Sequence, residues 1–281
     1  MKLTCNSTLL SAMSVEDAIG TLAGAGYQGI DISAQLAPPF FPTPKPHLTP
    51  DVDAAKRRAV RHCAAEAGIE IVAVNAHNNL IQTDPRKRRE DLEYVLGVLR
   101  LASDLGASFV VIGGGRKDLY GYDRDFFGRL VDALRELLPE ARSLGVTLAV
   151  EVSSQPGVLL HGVSRAQRLL SHDGLESLGI LFDTAHFAIR GEDVPQAFRA
   201  LSHRVVHIHV KDSKGHPEDY ECPPLGMGDI DFKAFLATLE ATGYSGYLGL
   251  EDESPGWGYQ VDPRQALADA KAFLESVRAE S

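Results

Sequence analysis

The chain has 281 residues, 44% of them hydrophobic and 23% charged, a composition that excludes a mainly disordered state. Its 28 Lys+Arg against 38 Asp+Glu leave a formal charge of −10, which argues against a duplex-coating nucleic-acid binder, because phosphate neutralisation needs clustered basic side chains. No stretch approaches the roughly 20 apolar residues of a spanning helix, the N-terminus does not read as a secretory signal, and three cysteines without metal spacing indicate reduced thiols in a cytoplasm.

In chain order, short apolar β-branched runs alternate with segments of helical period. Leu3 to Asn6 reads as a strand, and Ser14 to Ala25 as a helix with Ser14 as its N-cap and Gly26 as its stop. Gly29 to Ser33 is the second strand, followed by the proline-rich stretch from Pro38 to Pro46, a stiff loop or lid. Ile69 to Asn75, Phe109 to Ile112, Val146 to Val152, Ile180 to Asp183, Val205 to Val210 and Tyr247 to Glu251 continue the strands. Leu92 to Leu105, Phe126 to Leu144, Asp193 to Leu201, Phe232 to Thr242 and Asp262 to Ser281 are the helical segments between and after them. Most strand segments are continuous apolar runs, as in parallel strands buried on both faces. Glycine closes several helices just before the next strand, as at Gly26, Gly68, Gly106, Gly145 and Gly243.

This alternation predicts an α/β fold, a (β/α)8 TIM barrel in a single domain over residues 1–281. An open doubly wound sheet is the competitor. Its glycine-rich phosphate loop is missing after the first strand, where Asn6-Ser7-Thr8-Leu9 stands instead. The run Gly113-Gly114-Gly115 follows the fourth strand without dinucleotide or P-loop spacing, and reads as a turn that lets a neighbour come close.

The chemistry lies at the strand ends. Strand five ends in Glu151, strand six in Asp183 with His186 beyond it, strand seven carries His207, His209 and Lys211, and strand eight ends in Glu251. In a barrel these ends converge on one mouth. Buried together they would repel one another and lose hydration without a partner. One divalent metal ion held by Glu151, Asp183, His209 and Glu251 removes that cost. Three carboxylates and one imidazole suit Mn, Mg, Co or Zn. His207 and His209 point the same way along the strand, and the one nearer the mouth is the expected ligand, leaving His207 structural.

The segments Phe182-Asp183-Thr184-Ala185-His186, His207-Ile208-His209-Val210-Lys211-Asp212, Pro224 to Phe232 and Gly249-Leu250-Glu251 resemble the sugar phosphate isomerase/epimerase family, the xylose isomerase-like TIM barrels. The resemblance spans essentially the whole chain. It implies that the same four residues bind one divalent metal and that His186 contacts a substrate oxygen. The chain departs from the ketose 3-epimerase pattern, with Gly157 six positions after Glu151 where that group carries a glutamate. The related barrel endonucleases need further histidines, and His77 is the one candidate for an extra ligand.

The expected function is isomerisation or epimerisation of a small keto sugar or related polyol ketone by α-proton abstraction through a metal-stabilised enediolate. Glu151 and Glu251 are the expected catalytic pair. His186 and Lys211 are expected to hold substrate oxygens, with Trp257 and Phe40 stacking on a sugar face. An ion pair with Asp212 is the competing expectation for Lys211. A dehydratase or lyase acting on a keto-inositol or 3-keto-glycoside is the alternative for the same site. The expected partner is a small-molecule carbohydrate, with no nucleic acid and no membrane, and a homo-oligomer is compatible.

Overall fold

In the computed structural model, residues 2–36, 45–117 and 125–279 are described. Eight parallel strands form one sheet in the order β1 (Lys2–Cys5), β10 (Tyr247–Leu250), β7 (Val205–Val210), β6 (Gly179–Asp183), β5 (Thr147–Glu151), β4 (Phe109–Ile112), β3 (Glu70–Asn75) and β2 (Gly29–Ser33). These are the eight apolar segments, with ends shifted by about one residue. Between β1 and β2 the barrel closes through the backbone bridge of Asn6 to Asp31 and the Gln28 N–H that donates to the Leu3 carbonyl at 2.9 Å. Side chains complete that seam: Leu3 N–H donates to Gln28 Oε1 at 3.0 Å, and Ser33 N–H to Ser7 Oγ at 2.9 Å. The sequence therefore folds as the expected (β/α)8 barrel.

Helices α1 (Val15–Gly24), α3 (Pro85–Leu105), α4 (Phe126–Ser143), α7 (Val194–Leu201), α8 (Phe232–Thr242) and α9 (Pro263–Ala279) occupy the expected segments. Among the described residues three further helices were not read from a periodic pattern, although the Gly68 stop marked the end of the first of them. In α2 (Ala54–Ala67) only Val60 and Ala64 are buried, too few to mark a period. The short α5 (Gly162–Leu170) and α6 (Thr184–Ile189) offer still less pattern. A small antiparallel hairpin, β8 (Lys214–His216) with β9 (Asp219–Glu221), also stands between β7 and β10. Aspartates cap helix after helix, with Asp53, Asp84, Asp125, Asp183, Asp193, Asp231 and Asp262 each accepting a backbone N–H of the first turn. Part of the acidic excess is thus placed where helix dipoles favour it. Among the described residues no helix is long and apolar enough to cross a membrane.

Two cores result. The large one lies between sheet and helices. The small one fills the barrel itself, where Ala73, Val111, Ala149 and Leu181 meet. Around the remaining arc the interior is polar: Thr4 Oγ1 donates to Asp31 Oδ1 at 3.1 Å, and His207 Nε2 lies 2.8 Å from Asp31 Oδ2. Gly249 makes this approach feasible. A Cβ there would stand 2.9 Å from Asp31 Oδ2 and 3.0 Å from His209 Cδ2. One layer toward the mouth, strand alternation brings Asn6, Ser33, Asn75, Gly113, Glu151, Asp183 and Glu251 to the inner face. The Gly113-Gly114-Gly115 turn does what its composition suggested, for a Cβ on Gly114 would lie 2.5 Å from Leu160 Cβ.

Candidate metal centre

One ligand atom from each of Glu151, Asp183, His209 and Glu251 falls within a cluster 4.8 Å across, and all four residues are buried. Neighbouring parallel strands β5, β6, β7 and β10 supply them, so adjacency in the sheet does the gathering. Local contacts aim each one. Asp183 closes β6 and caps α6, its Oδ1 accepting the His186 N–H at 3.1 Å. Thr184 Oγ1 donates to the Lys211 carbonyl at 2.6 Å and accepts the Lys211 N–H at 3.0 Å, which locks the end of β6 to the end of β7. Asn6 Nδ2 donates to Glu251 Oε1 at 2.7 Å, while Asn6 Oδ1 accepts from Thr8.

The donor atoms fit a cation. Glu151 Oε1, Asp183 Oδ2 and His209 Nδ1 are buried and make no hydrogen bond, although Lys211 Nζ stands 3.1 Å from Asp183 Oδ2 and Glu251 Oε1 stands 3.5 Å from His209 Nδ1. Three buried carboxylates around a single ammonium leave the cluster short of positive charge, which a cation or protons would supply. The other nitrogen of His209, Nε2, lies 3.3 Å from Asp31 Oδ2. A carboxylate behind the ring places the proton on Nε2 and presents the Nδ1 lone pair to the cluster. Burial opposes ionisation of Asp31, but His207 and His209 outweigh it and hold its carboxyl well below the usual range. Asp31, and its contact with His207, the histidine expected to be structural, form the part of the site that strand-end reasoning missed. The signal was a lone acid inside the apolar run Gly29 to Ser33. Replacing Asp31 with Asn is expected to weaken divalent-metal affinity about 10–100-fold. Calorimetric titration checks this, and unchanged affinity would refute the orienting role.

Lys211 reaches the site but does not pair with Asp212. Its ammonium lies 2.7 Å from Glu251 Oε2, 3.1 Å from Glu253 Oε2 and 3.1 Å from Asp183 Oδ2. Asp212 turns away and accepts the backbone N–H groups of Ser213, Gly226 and Gly228, each at 2.9 Å, so it shapes the loop before α8. His186 is buried, with Nδ1 2.9 Å from Ser154 Oγ, and its Nε2 has no partner among the described residues. Burial, then the charge of Lys211, keeps its pKa well below the ordinary imidazole value, so the ring is neutral. His77 Nε2 stands 3.4 Å from Glu151 Oε2. Trp257 is 41% exposed on the loop after β10, tilted against Tyr220 of the hairpin at 5.1 Å between ring centroids. Phe40 lies outside the described residues.

The two glutamates differ sharply. Burial, reinforced by the charge of Glu251, pushes the Glu151 carboxyl well above its ordinary value. Burial acts in the same sense on Glu251, yet Lys211 and His209 outweigh it and hold Glu251 well below the usual range. Burial also raises Asp183, to about 7, with Lys211 opposing. A cation binds the ionised carboxylates only, so protons compete below that value and cease to compete above the raised pKa values. Divalent-metal affinity is therefore expected to fall as pH drops through 7, by about tenfold per unit for each proton displaced. Titrations at several pH values test this, and a flat profile between pH 5.5 and 7.5 would contradict it.

An eight-stranded parallel barrel with carboxylates and imidazoles gathered at the C-terminal mouth of its strands has the architecture of a barrel enzyme. The chain belongs to the xylose isomerase-like TIM barrel family, whose model matches residues 19–277. It is similar to an inosose isomerase of Bacillus licheniformis, 26% identical over 209 residues, covering 72% of this chain and 74% of that one. It is also similar to the L-ribulose-5-phosphate 3-epimerase UlaE of Escherichia coli O157:H7, 25% identical over 226 residues and covering 79% and 77% of the two chains. Among solved structures, the IOLI protein with a bound zinc atom superimposes with a TM-score of 0.79 at 22% identity, covering 100% of this chain and 99% of that one.

Proposed function

We propose that this chain is a divalent-metal-dependent isomerase or epimerase of a small keto sugar or related polyol ketone. It is an enzyme of the sugar isomerase/epimerase type, the class to which its named relatives belong. The observation that carries the reading is the buried quartet of Glu151, Asp183, His209 and Glu251, gathered within 4.8 Å and with Glu151 Oε1 unpaired. These four residues would hold the ion. Manganese, magnesium, cobalt and zinc all suit three carboxylates with an imidazole, and zinc accompanies the IOLI relative. When bound, the ion supplies Lewis-acid chemistry, withdrawing charge from a carbonyl and acidifying the neighbouring C–H.

The residues of the chain move the proton. Environments that drive two carboxyls apart in pKa are the pattern of an acid/base pair. Glu251 is ionised and fixed at both oxygens by Asn6 and Lys211, which suits a base. Glu151, with Oε1 unpaired and a carboxyl whose proton affinity burial and the charge of Glu251 raise, suits the group that returns one. His186, in contact with Ser154 Oγ at Nδ1, would donate to a substrate oxygen through Nε2 when the Ser154 hydroxyl donates to Nδ1. Lys211, committed to three carboxylates, positions them rather than the substrate. Trp257 and Phe40 remain the aromatic surfaces proposed for a sugar face.

The test is incubation of the metal-loaded enzyme in deuterated water with ketoses, inososes and 3-keto-glycosides. Deuterium at the α-carbon together with an isomeric product is the expected result. Loss of water or of an aglycone would replace this reading with a lyase, and exchange with none of the substrates would overturn it.

A further inference from the structure

The mouth has a second arc that the metal quartet does not use. On β3, Ala73 packs inside the barrel, so Asn75, two residues on, faces the same interior one layer nearer the mouth. Asn75 is buried, and both its Oδ1 and its Nδ2 lack a partner among the described residues. Its register partner on β2 is Ser33, also buried, whose Oγ is likewise unpaired. His77, just beyond β3, has Nδ1 2.9 Å from Gln35 Oε1 and leaves Nε2 unpaired beside Glu151. On β4 the same layer holds Gly113, which contributes no side chain between Asn75 and Glu151. A Cβ on Gly113 would instead meet the His77 side chain at 3.6 Å.

A buried primary amide with neither end paired is costly, because each group gives up its hydration and gains no partner. An apolar residue of the same size would carry no such cost. Such atoms are retained where a ligand meets them. The atoms offered are a hydroxyl, an amide donor, an amide acceptor and one imidazole nitrogen, which together match neutral hydroxyl groups. They form no cradle for a dianion, and three carboxylates of the neighbouring quartet repel one.

Building on the polyol-ketone reading above, we propose that Ser33, Asn75 and His77 form a hydroxyl-reading subsite. It holds the end of the substrate remote from the reacting carbons. The substrate class is then an unphosphorylated polyhydroxy ketone, and discrimination resides in those remote hydroxyls.

The experiment measures binding by calorimetry and turnover in parallel. The probes are D-fructose and an inosose, each with its monodeoxy series, and D-fructose 6-phosphate. The wild-type enzyme is expected to bind at least one monodeoxy form about tenfold or more weakly than its parent, because a site built to pair a hydroxyl rejects the analogue lacking it. Asn75→Leu is expected to collapse that ratio to near unity by weakening the parent alone. Ser33→Ala, a change small enough to spare the fold, is expected to erase discrimination at a different hydroxyl. The phosphate ester is expected to bind more weakly than the free sugar. Equal loss for parent and deoxy forms in Asn75→Leu would mean a purely structural amide. An unchanged ratio in both variants, a preferred phosphate ester, or no binding of either parent would also overturn the proposal. Binding that discriminates hydroxyls without any α-hydrogen exchange would sink the isomerase reading and leave the subsite standing. Exchange with unchanged ratios would do the reverse.

Discussion

Replacing Glu151 with Gln is expected to lower product formation about 10³-fold at saturating metal, the scale of a lost acid/base group. The substitution keeps size and burial but removes a carboxyl whose proton affinity burial and the charge of Glu251 raise. It also removes one cation donor, so the assay must be run with the metal site demonstrably filled. The two glutamates can be told apart in the same experiment. With Glu251 intact and fixed by Asn6 and Lys211, exchange of the substrate's α-hydrogen with solvent should persist in Glu151→Gln while isomer formation stops. Glu251→Gln should stop both. Retained turnover in Glu151→Gln would end its assignment as a proton carrier.

Lys211→Met is expected to destabilise the metal-free protein by about 3–5 kcal/mol, the cost of stripping the partner from buried charges. For a chain of this size that lowers Tm by on the order of 10 °C. The reason is local. Lys211 is buried and is the cation that faces Asp183, Glu251 and Glu253 together. Metal should then restore much of the loss, because a cation in the quartet neutralises two of the same carboxylates. The rise in Tm on adding metal is thus larger in Lys211→Met than in the wild-type chain. Thermal unfolding with and without the ion measures both effects. An unchanged Tm, or a metal effect no larger than in the parent, would show that Lys211 does not balance this cluster.

Asp31 and Lys211 show where one-dimensional reasoning stopped. Asp31 was visible as an acid in an apolar strand, but its partner His207 lies 176 positions away. Asn6, which fixes Glu251, is 245 positions from it. Such pairings depend on which strand ends neighbour each other around the ring. Asp212, adjacent in sequence to Lys211, was the natural partner to expect, yet successive strand residues face opposite ways. Lys211 therefore points into the barrel with His209, and Asp212 points outward to the loop. Asn75 carried no signal at all, because an asparagine at a strand end is ordinary until its surroundings are known.

The sequence alone determined the barrel and the four quartet residues, because both follow from local features. Continuous apolar runs mark buried parallel strands, glycines mark helix ends, and charged residues at the ends of apolar runs must meet at one mouth once the sheet closes. Tertiary structure alone decided which atoms are paired and which are not. It tied both oxygens of Glu251 and left Glu151 Oε1 unpaired, which drives the proton affinities of two chemically identical side chains apart. That difference comes from burial and from neighbours 40 and 245 positions away in the chain, and these meet only when the ring of strands is complete.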